Sequence, residues 1–287
     1  MQTIHDVETL RARVRAWRQA GRRIALVPTM GNLHDGHVRL VQDAVNIADE
    51  IVVSIFVNPL QFGQGEDFAA YPRTLEADRD YLGAVQASLT LFAPSVKVMY
   101  PDGLELPTRI SVTPLSDRLC GLARPGHFEG VATVVAKLFN LVQPDVALFG
   151  RKDYQQLQVI SRMVRDLNMA VEVKGVATVR EADGLAMSSR NRYLSADQRA
   201  RAPALYRALC MISERIQAGE RNYATLEKIG CDQLAADGIE VEYLSIRSQG
   251  GLEPAHRDDF DLVILVAARF GHARLIDNLE LRLNRPG

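Results

Sequence analysis

Two histidines three positions apart, His34 and His37, follow an apolar run in a segment suited to binding a nucleotide. The run Ile24–Pro28 predicts a buried strand that ends in a Pro-Thr-Met-Gly turn and leads into a helix. Such a turn directs backbone N–H groups toward phosphate oxygens, and Gly31 and Gly36 permit a close approach. Both imidazoles lie on one face of the helix start, where they can donate hydrogen bonds to charge that develops during nucleotidyl transfer.

A second junction between a predicted strand and a predicted helix, at 149–156, has the residues of an anion site. The strand ends at Gly150, and Lys152 places a compact cation near the start of the helix. Asp153 can cap that helix or hold a ribose, and Gln156 lies one turn further on. This junction therefore predicts a second group of contacts to phosphate.

The segment 184–191 carries two hydroxyls and a guanidinium, from Ser188, Ser189 and Arg190. These groups can clamp a phosphate through charge-assisted hydrogen bonds. Because the segment joins two predicted domains, its closure over a triphosphate would order the site and exclude water.

Amide side chains follow the second predicted strand, at Asn58 and Gln61. An amide offers both donors and acceptors, which suits a substrate with a hydroxyl and a carboxylate. The loop at 62–67 is interpreted as a lid. A Gly- and Pro-containing segment further along the chain adds Arg124, which can pair with a carboxylate. It also adds His127, which is interpreted either as a hydrogen-bonding residue of the fold or as a ligand-binding residue.

Acidic residues open the helix predicted at 74–87. Glu76 and Asp78 are two positions apart and therefore do not share a helical face. A magnesium ion that binds mainly through phosphates needs only one carboxylate from the protein. Asp78 is the candidate for that contact, and a solvated helix charge is the alternative.

Strands and helices alternate through the first two-thirds of the chain and must position these residues. The β-α-β-α order predicts an α/β fold, a Rossmann-like doubly wound parallel sheet with helices on both faces. Ligands bind such sheets at the carboxyl ends of the strands, where the segments above lie. The predicted strands are 24–28, 51–57, 89–93, 146–149 and 171–176, and the predicted helices are 7–20, 38–48, 74–87, 131–141 and 155–167.

The pattern changes near residue 180, where a charged, turn-like segment predicts a hinge at 177–187. We therefore predict a catalytic domain, 1–178, and a smaller α+β C-terminal domain, 179–287, that acts as a lid. Within the second domain the predicted helices are 196–217 and 222–237, and the predicted strands are 239–247 and 262–269.

Composition limits the partners. The net charge of −1 provides no basic field for nucleic acid. The three cysteines form no Cys-x-x-Cys pair and no zinc pattern, which is typical of a protein of the reduced cytoplasm. The polar N-terminus lacks the apolar core of a signal peptide, and no run of 18 apolar residues occurs. We therefore expect neither a nucleic-acid nor a membrane partner.

Taken in order, the motifs resemble those of the pantothenate synthetase (pantoate–β-alanine ligase) family. The first motif is similar to the His-x-Gly-His signature of nucleotidyltransferases, which implies the Rossmann-like fold of that superfamily. The Ser-Ser-Arg-Asn stretch resembles the superfamily's Lys-Met-Ser-Lys-Ser-type loop. The matching segments are Pro28–His37, Ser54–Phe62, Tyr71–Leu75, Arg124–Val131, Phe149–Gln156, Met187–Asn191 and Ala267–Asn278.

The resemblance implies a reaction in two steps. ATP and pantoate form an enzyme-bound pantoyl adenylate and pyrophosphate, with Mg²⁺. The amine of β-alanine then attacks the mixed anhydride, which yields pantothenate and AMP. Since the carboxylate of pantoate is the nucleophile, catalysis is mainly positioning and electrostatics. The family also implies a homodimer formed through the N-terminal domain.

The resemblance assigns roles to residues of this chain. The catalytic set is His34, His37, Lys152, Ser188, Ser189 and Arg190. The ATP-binding set adds Met30, Gly31, Asn32, Leu33, Asp35, Gly36, Gly150, Arg151, Asp153, Val179 and Met187. Pantoate would contact Pro28, Thr29, Met30, Gln61 and Gln156, and β-alanine would contact Gln61. Two positions depart from the family pattern: Arg151 stands where relatives often carry an acidic residue, and Ala77 where some carry a second carboxylate.

Two other functions fit parts of the pattern. One is a nucleotidyltransferase that couples a nucleotide to a phosphorylated small molecule. Such an enzyme needs cations for the second phosphate, whereas this chain offers Gln61 and Gln156. The other is a nucleotide sensor or RNA-binding relative without turnover. The near-neutral charge and the full set of His34, His37, Lys152 and Arg190 argue against it.

Overall fold

The computed structural model describes residues 1–63, 68–69, 71–86 and 88–284. The predicted lid loop at 62–67 lies mostly outside the described residues, and so does the last residue of the helix predicted at 74–87. Contacts within the chain define two compact units. The first unit is Met1–Arg151 with Gln156–Ala177, and the second is Lys152–Gln155 with Thr178–Gly287.

Among the described residues of the first unit, six strands form one parallel sheet in the order β1-β4-β3-β2-β5-β6. This confirms the predicted doubly wound α/β fold. The strand β2 lies inside the sheet and is buried on both faces, which explains its unbroken apolar run. The strands are β1 Gln2–Ile4, β2 Ile24–Thr29, β3 Glu50–Ile55, β4 Thr90–Phe92, β5 Val146–Gly150 and β6 Glu172–Val176.

The sheet order explains where a ligand can bind. From β2 the chain passes to β3 on one side, and β5 pairs with β2 on the other side. The order therefore reverses between β2 and β5, and doubly wound sheets bind ligands at the carboxyl ends of the strands beside such a reversal. Thr29 ends β2 and Gly150 ends β5 at this point.

Helices follow the strands. Amphipathic spacing forms them, as in α1, where Leu10, Val14 and Trp17 are the buried residues. The helix α6 is apolar around most of its circumference and is largely buried. The helices are α1 Val7–Gln19, α2 Asp35–Val45, α3 Leu75–Val85, α4 Val96–Met99, α5 Cys120–Ala123, α6 His127–Val142 and α7 Tyr154–Asp166.

In the described part of the second unit, three antiparallel strands are paired in the order β7-β8-β9. Leu205, Leu209 and Ile212 of α9 join Ile264 and Val266 of β8 in one core cluster. The small α+β architecture confirms the predicted class. The elements are α8 Ala196–Arg201, α9 Ala204–Gln217, α10 Tyr223–Ala236, β7 Glu240–Ser248, β8 Asp261–Phe270 and β9 Ala273–Arg282.

Two details of the sequence prediction were wrong. The helix predicted at 196–217 is two helices, because Pro203 lacks a backbone N–H and restricts the residue before it. The strands β1 and β9 were not predicted. The three residues of β1 are too few to show an alternating pattern, and the strand exists because Gln2–Ile4 pairs with β4.

Within the described residues, no helix is long and apolar enough to cross a bilayer.

Candidate active site

The turn after β2 is shaped by a carboxylate from α3. Gly31 and Asn32 adopt left-handed φ values of 80° and 53°, which turn successive backbone N–H groups inward. Asp78 Oδ2 accepts the N–H of Asn32 at 2.9 Å, and Oδ1 accepts the N–H of Leu33 at 2.8 Å. The Thr74 hydroxyl also donates to Asp78 Oδ2, at 3.0 Å. Asp78 therefore determines the conformation of the turn.

Gly31 is required by its surroundings as well as by its φ value. A Cβ at this position would stand 3.0 Å from Asp78 Oδ2 and 3.1 Å from Ile55 Cγ2. The turn can thus pass this close to α3 and to the end of β3 only with glycine.

The sequence did not indicate the surroundings of Asp78, the predicted metal contact. The side chain is 4% exposed, and both of its oxygens accept hydrogen bonds from the protein. Within the described ranges, no group of three His, Cys, Asp or Glu residues could hold a metal ion. Both oxygens of Asp78 therefore already serve the turn, and the metal contact stays a prediction.

The two histidines cap α2. His34 Nδ1 accepts the N–H of Gly36 at 3.1 Å, and His37 Nδ1 accepts the N–H of His34 at 3.3 Å. Because each Nδ1 is an acceptor, the ring proton of each neutral imidazole lies on Nε2. The ring centroids are 4.1 Å apart. Two Nε2–H donors therefore stand side by side at the N-terminus of α2.

Gly36 makes this pairing possible. A Cβ on Gly36 would come within 2.8 Å of Cε1 and 2.9 Å of Nδ1 in His34. The neighbouring Asp35 accepts a hydrogen bond from the Tyr81 hydroxyl, and this bond raises the pKa of Tyr81 to about 12. Tyr81 therefore remains a donor at neutral pH and joins α3 to the first turn of α2.

Gln61 is held by its neighbours in a short helical turn at 59–61. Asn58 Nδ2 donates to Gln61 Oε1 at 3.2 Å, and Gln61 Nε2 donates to Met30 Sδ at 2.9 Å. Asn58 is 1% exposed, and its Oδ1 accepts the Tyr100 hydroxyl at 2.8 Å. Burial raises the pKa of Tyr100, so this donor stays protonated. The structure thus brings Gln61 and Met30 together, and the buried Asn58 holds the Gln61 amide in place.

The sequence did not indicate what holds Gln61 from the opposite side. His127 Nδ1 donates to the Gln61 backbone carbonyl at 2.8 Å, and an Arg124 N–H donates to the same oxygen at 3.2 Å. The hydrogen bond of Arg124 to this carbonyl is not the carboxylate pairing that the sequence suggested, and that pairing stays a prediction. Only the distance in sequence hid this relation, since the two segments are more than 60 positions apart.

The junction after β5 is a single helical turn, Arg151–Asp153, followed directly by α7. The Arg151 side chain is exposed, and its Nε donates to the carbonyl of Gly175 on β6 at 3.3 Å. Gln156 is half-buried in the first turn of α7, and Gly150 is half-buried at the end of β5. Arg151 therefore has a contact within the fold at the position where the family pattern differs.

In the second unit, the segment 179–191 is ordered by its own hydrogen bonds. The N–H of Met187 donates to the carbonyl of Val179 at 3.0 Å. Ser188 Oγ accepts the N–H of Arg190 at 3.2 Å and caps the short helical turn Ser189–Tyr193. These bonds place Ser188, Ser189 and Arg190 together at one turn.

Lys152 belongs to the same unit. Its backbone carbonyl accepts a hydrogen bond from Asn278 Nδ2 at 2.8 Å, so the motif at the end of the chain positions it. In the part of the chain that the structure describes, neither the Lys152 amine nor the Arg190 guanidinium forms an ion pair. Two cations are therefore available to an anionic ligand.

The groups in the two units suit phosphate chemistry. Taken by itself, the first unit has backbone N–H groups, two Nε2–H donors and an amide. Taken by itself, the second unit has two cations and two hydroxyls. Preorganised donors of this kind stabilise charge that develops on phosphate oxygens.

Comparisons with known proteins agree with this chemistry. The family model described as pantoate-beta-alanine ligase matches residues 2–280. The chain is 57% identical over 284 residues to a pantothenate synthetase from Pseudomonas putida, which covers 99% of each chain. The crystal structure of pantothenate synthetase from Thermus thermophilus has a TM-score of 0.90 and 49% identity, with 97% of this chain and 99% of that one covered. A Francisella tularensis pantoate-beta-alanine ligase, complexed with beta-gamma ATP and beta-alanine, has a TM-score of 0.81 and 31% identity, with 97% of each chain covered.

Proposed function

The chain belongs to the pantoate–β-alanine ligase family, and from this we propose that it uses ATP to condense (R)-pantoate with β-alanine, which forms pantothenate, AMP and pyrophosphate. The observation that carries this proposal is the match of the family model to residues 2–280 of the chain. The histidine pair that caps α2 and offers two Nε2–H donors supports it.

In the first step, a carboxylate oxygen of pantoate attacks the α-phosphorus of ATP, and the bond to the pyrophosphate leaving group breaks. Negative charge grows on the departing phosphates. His34 and His37 donate from Nε2, and Lys152, Ser188, Ser189 and Arg190 complete the set of donors. No enzyme nucleophile takes part, since pantoate itself supplies the attacking oxygen.

In the second step, the amine of β-alanine attacks the carbonyl carbon of the pantoyl adenylate. The bond to AMP breaks, and the ammonium proton is lost as the amide forms. Holding the amine and the anhydride in line converts a bimolecular reaction into one between bound groups. We assign the β-alanine contact to Gln61.

We assign the remaining contacts from the resemblance to the family. Pantoate lies beside the carboxyl end of β2 and the amides that follow, with Pro28, Thr29, Met30, Gln61 and Gln156. We assign the ATP contacts to the turn after β2, to the junction after β5 and to the segment 179–191. These contacts are Met30, Gly31, Asn32, Leu33, Asp35, Gly36, Gly150, Arg151, Asp153, Val179 and Met187.

We propose that magnesium arrives with ATP and is held through its phosphates. The hydrogen-bonded oxygens of Asp78 do not fit a resident ion, and no step here passes through one. Mg²⁺ supplies charge neutralisation of the triphosphate when bound. In this proposal the part of Asp78 is to shape the turn that receives the phosphates.

The resemblance of this chain to the family also supports three broader proposals. The protein is a homodimer that associates through its N-terminal domain, the domain 179–287 acts as a lid, and the enzyme works in the cytoplasm. Sedimentation with and without ATP and pantoate tests the first two, because closure changes the frictional coefficient while dimer formation changes the mass.

The test of the function is AMP formation from ATP, Mg²⁺ and pantoate, with and without β-alanine. We expect AMP and pantothenate in equal amounts only when both substrates are present. Pyrophosphate release with a phosphorylated acceptor, and none with pantoate, would instead make the protein a nucleotidyltransferase for another substrate.

A further inference from the structure

The Gln61 carbonyl lies at the centre of a hydrogen-bonded group that the reaction does not use directly. His127 Nδ1 and an Arg124 N–H both donate to it, at 2.8 and 3.2 Å. A second Arg124 N–H donates to His127 Nε2 at 2.9 Å. The three residues thus form a closed triangle, which we call the carbonyl triad: Gln61, Arg124 and His127.

The partners determine the protonation of His127. A carbonyl oxygen can only accept, so His127 Nδ1 carries a proton. A guanidinium can only donate, so His127 Nε2 is the acceptor and carries none. The neutral Nδ1–H tautomer is therefore built into the triad, opposite to the tautomer of His34 and His37.

The backbone of the 58–61 turn is held from a second direction as well. Asn58 Nδ2 donates to the Gly130 carbonyl at 3.1 Å, and a Cβ on Gly130 would lie 2.2 Å from the carbonyl oxygen of Leu60. The start of α6 thus packs directly on the turn. A displacement of His127 would change the position of the Gln61 main chain, and hence of its amide beside Met30.

From this geometry we propose that His127, oriented by Arg124, is the positioning residue that places the Gln61 amide for pantoate. The inference rests on the proposed function, in which Gln61 contacts pantoate. His127 itself touches no substrate in this account. It acts through the carbonyl of Gln61, so we expect its effect on the substrates assigned to Gln61, pantoate above all, and not on ATP.

The test compares two amides at position 127 in steady-state kinetics. In His127→Asn the amide N–H can occupy the place of Nδ1–H, whereas in His127→Gln it extends to the place of Nε2. We expect His127→Gln to raise the KM for pantoate by about five- to tenfold with the KM for ATP changed by less than about twofold, as for one displaced hydrogen bond. His127→Asn should restore most of the loss.

A double-mutant cycle separates this effect from a general loss of structure. The cycle joins His127→Gln to Gln61→Ala. If His127 acts through Gln61, the double variant has the pantoate KM of Gln61→Ala alone. Equal loss in the Asn and Gln variants, a matching change in the KM for ATP, or additive effects in the double variant would overturn the inference.

The same experiment distinguishes failure of the positioning role of His127 from failure of the proposed function. If Gln61→Ala leaves the pantoate KM unchanged, the assignment of Gln61 is wrong. If Gln61→Ala raises that KM and His127→Gln does not, only the positioning role fails. Should the position-127 variants not fold, Arg124→Gln, which removes the second donor to the carbonyl, is expected to give the same selective rise in the KM for pantoate. An unchanged KM in a folded Arg124→Gln protein would contradict the proposal.

Discussion

One nitrogen of each motif histidine serves the fold, and our proposal assigns the other to the reaction. The Nδ1 atoms of His34 and His37 accept backbone N–H groups at the start of α2. Accepting there requires the proton to be on Nε2. A helix cap normally comes from a hydroxyl or a carboxylate, which would supply no such donor on its far side. The use of histidine as a cap thus couples local stability to the donor that the proposed reaction needs.

This coupling can be separated by substitution of His37. In His37→Asn, the side-chain oxygen can replace Nδ1 as the acceptor for His34, but no group replaces Nε2–H. We expect a folded protein whose rate of pantoyl adenylate formation falls about 100-fold or more, the cost of one preorganised donor. Single-turnover measurement of pyrophosphate release checks this.

His37→Gln is the matched control, since its amide nitrogen reaches the place of Nε2 while the Nδ1 acceptor is lost. It should retain more of the adenylation rate than His37→Asn and have a lower melting temperature. An adenylation rate in His37→Asn close to that of the unsubstituted protein would remove His37 from the catalytic set.

At the scale of elements, the turn after β2 depends on Asp78 of α3, which follows Asn32 by 46 positions in the chain. The first turn of α3 directs Asp78 at the backbone of Asn32 and Leu33. The turn has two residues with positive φ, which an isolated peptide would not keep. Packing of α3 therefore decides the conformation that β2 and α2 alone leave open.

The variant Asp78→Asn tests this role against the metal contact suggested by the sequence. An amide accepts with one atom only, so one buried N–H of the turn loses its partner at a cost of about 1 to 3 kcal/mol. We expect lower thermal stability and a higher KM for ATP, both unaffected by added Mg²⁺.

Glu76→Gln is the control, because Glu76 is exposed on the same turn of α3. It should match the unsubstituted protein in stability and in the KM for ATP. Recovery of Asp78→Asn by high Mg²⁺ would instead indicate that Asp78 binds the metal and would contradict the structural role.

At the scale of the whole molecule, the second unit has a buried ion pair that joins the 178–191 segment to β9. Arg180 donates to both oxygens of Asp277, at 2.6 and 3.0 Å, and its guanidinium stacks 3.6 Å from the centroid of Tyr206. Asp277 is 3% exposed. The adjacent Asn278 holds the carbonyl of Lys152. One end of β9 therefore contacts both segments of this unit to which we assign phosphate contacts.

Substitution of Asp277 tests whether this unit is stabilised by itself. In Asp277→Asn, the largely buried Arg180 charge is left without its counter-ion, which costs up to about 3 kcal/mol. Hydrogen exchange should report faster opening in peptides from 178–284, with protection in 24–150 unchanged.

Asp183→Asn gives the comparison, because this carboxylate lies in the same segment and also pairs with an arginine, Arg199. Its hydrogen bond to Arg199 holds the pKa of Asp183 below the ordinary value, yet the side chain is exposed. Its loss should cost less than about 1 kcal/mol. Equal effects of the two substitutions, or faster exchange in both units, would contradict the account.

The sequence by itself determined the fold class and the family. Both depend on local information: apolar runs and helical spacing predict the elements, and the motifs PTMGNLHDGH, FGRKDYQQ and MSSRN predict nucleotide chemistry. The inner strands β2, β3, β4 and β5 were predicted for the same reason, since strands buried on both faces need largely apolar runs. The edge strand β6 was predicted as well, although only Val176 in it is fully buried. Where the local signal was weak, as in the three residues of β1, the prediction failed.

Only the tertiary structure decided which side chains position the site. Asp78 meets the turn at a separation of 46 positions, His127 meets the Gln61 carbonyl at 66, and Asn278 meets Lys152 at 126. From the sequence, Asp78 was interpreted as a metal contact or a solvated charge, His127 as a hydrogen-bonding or a ligand-binding residue, and Asn278 as part of a terminal motif. A side chain hydrogen-bonds to whatever backbone the fold brings within about 3 Å, and that choice follows from strand order and helix packing rather than from any local pattern.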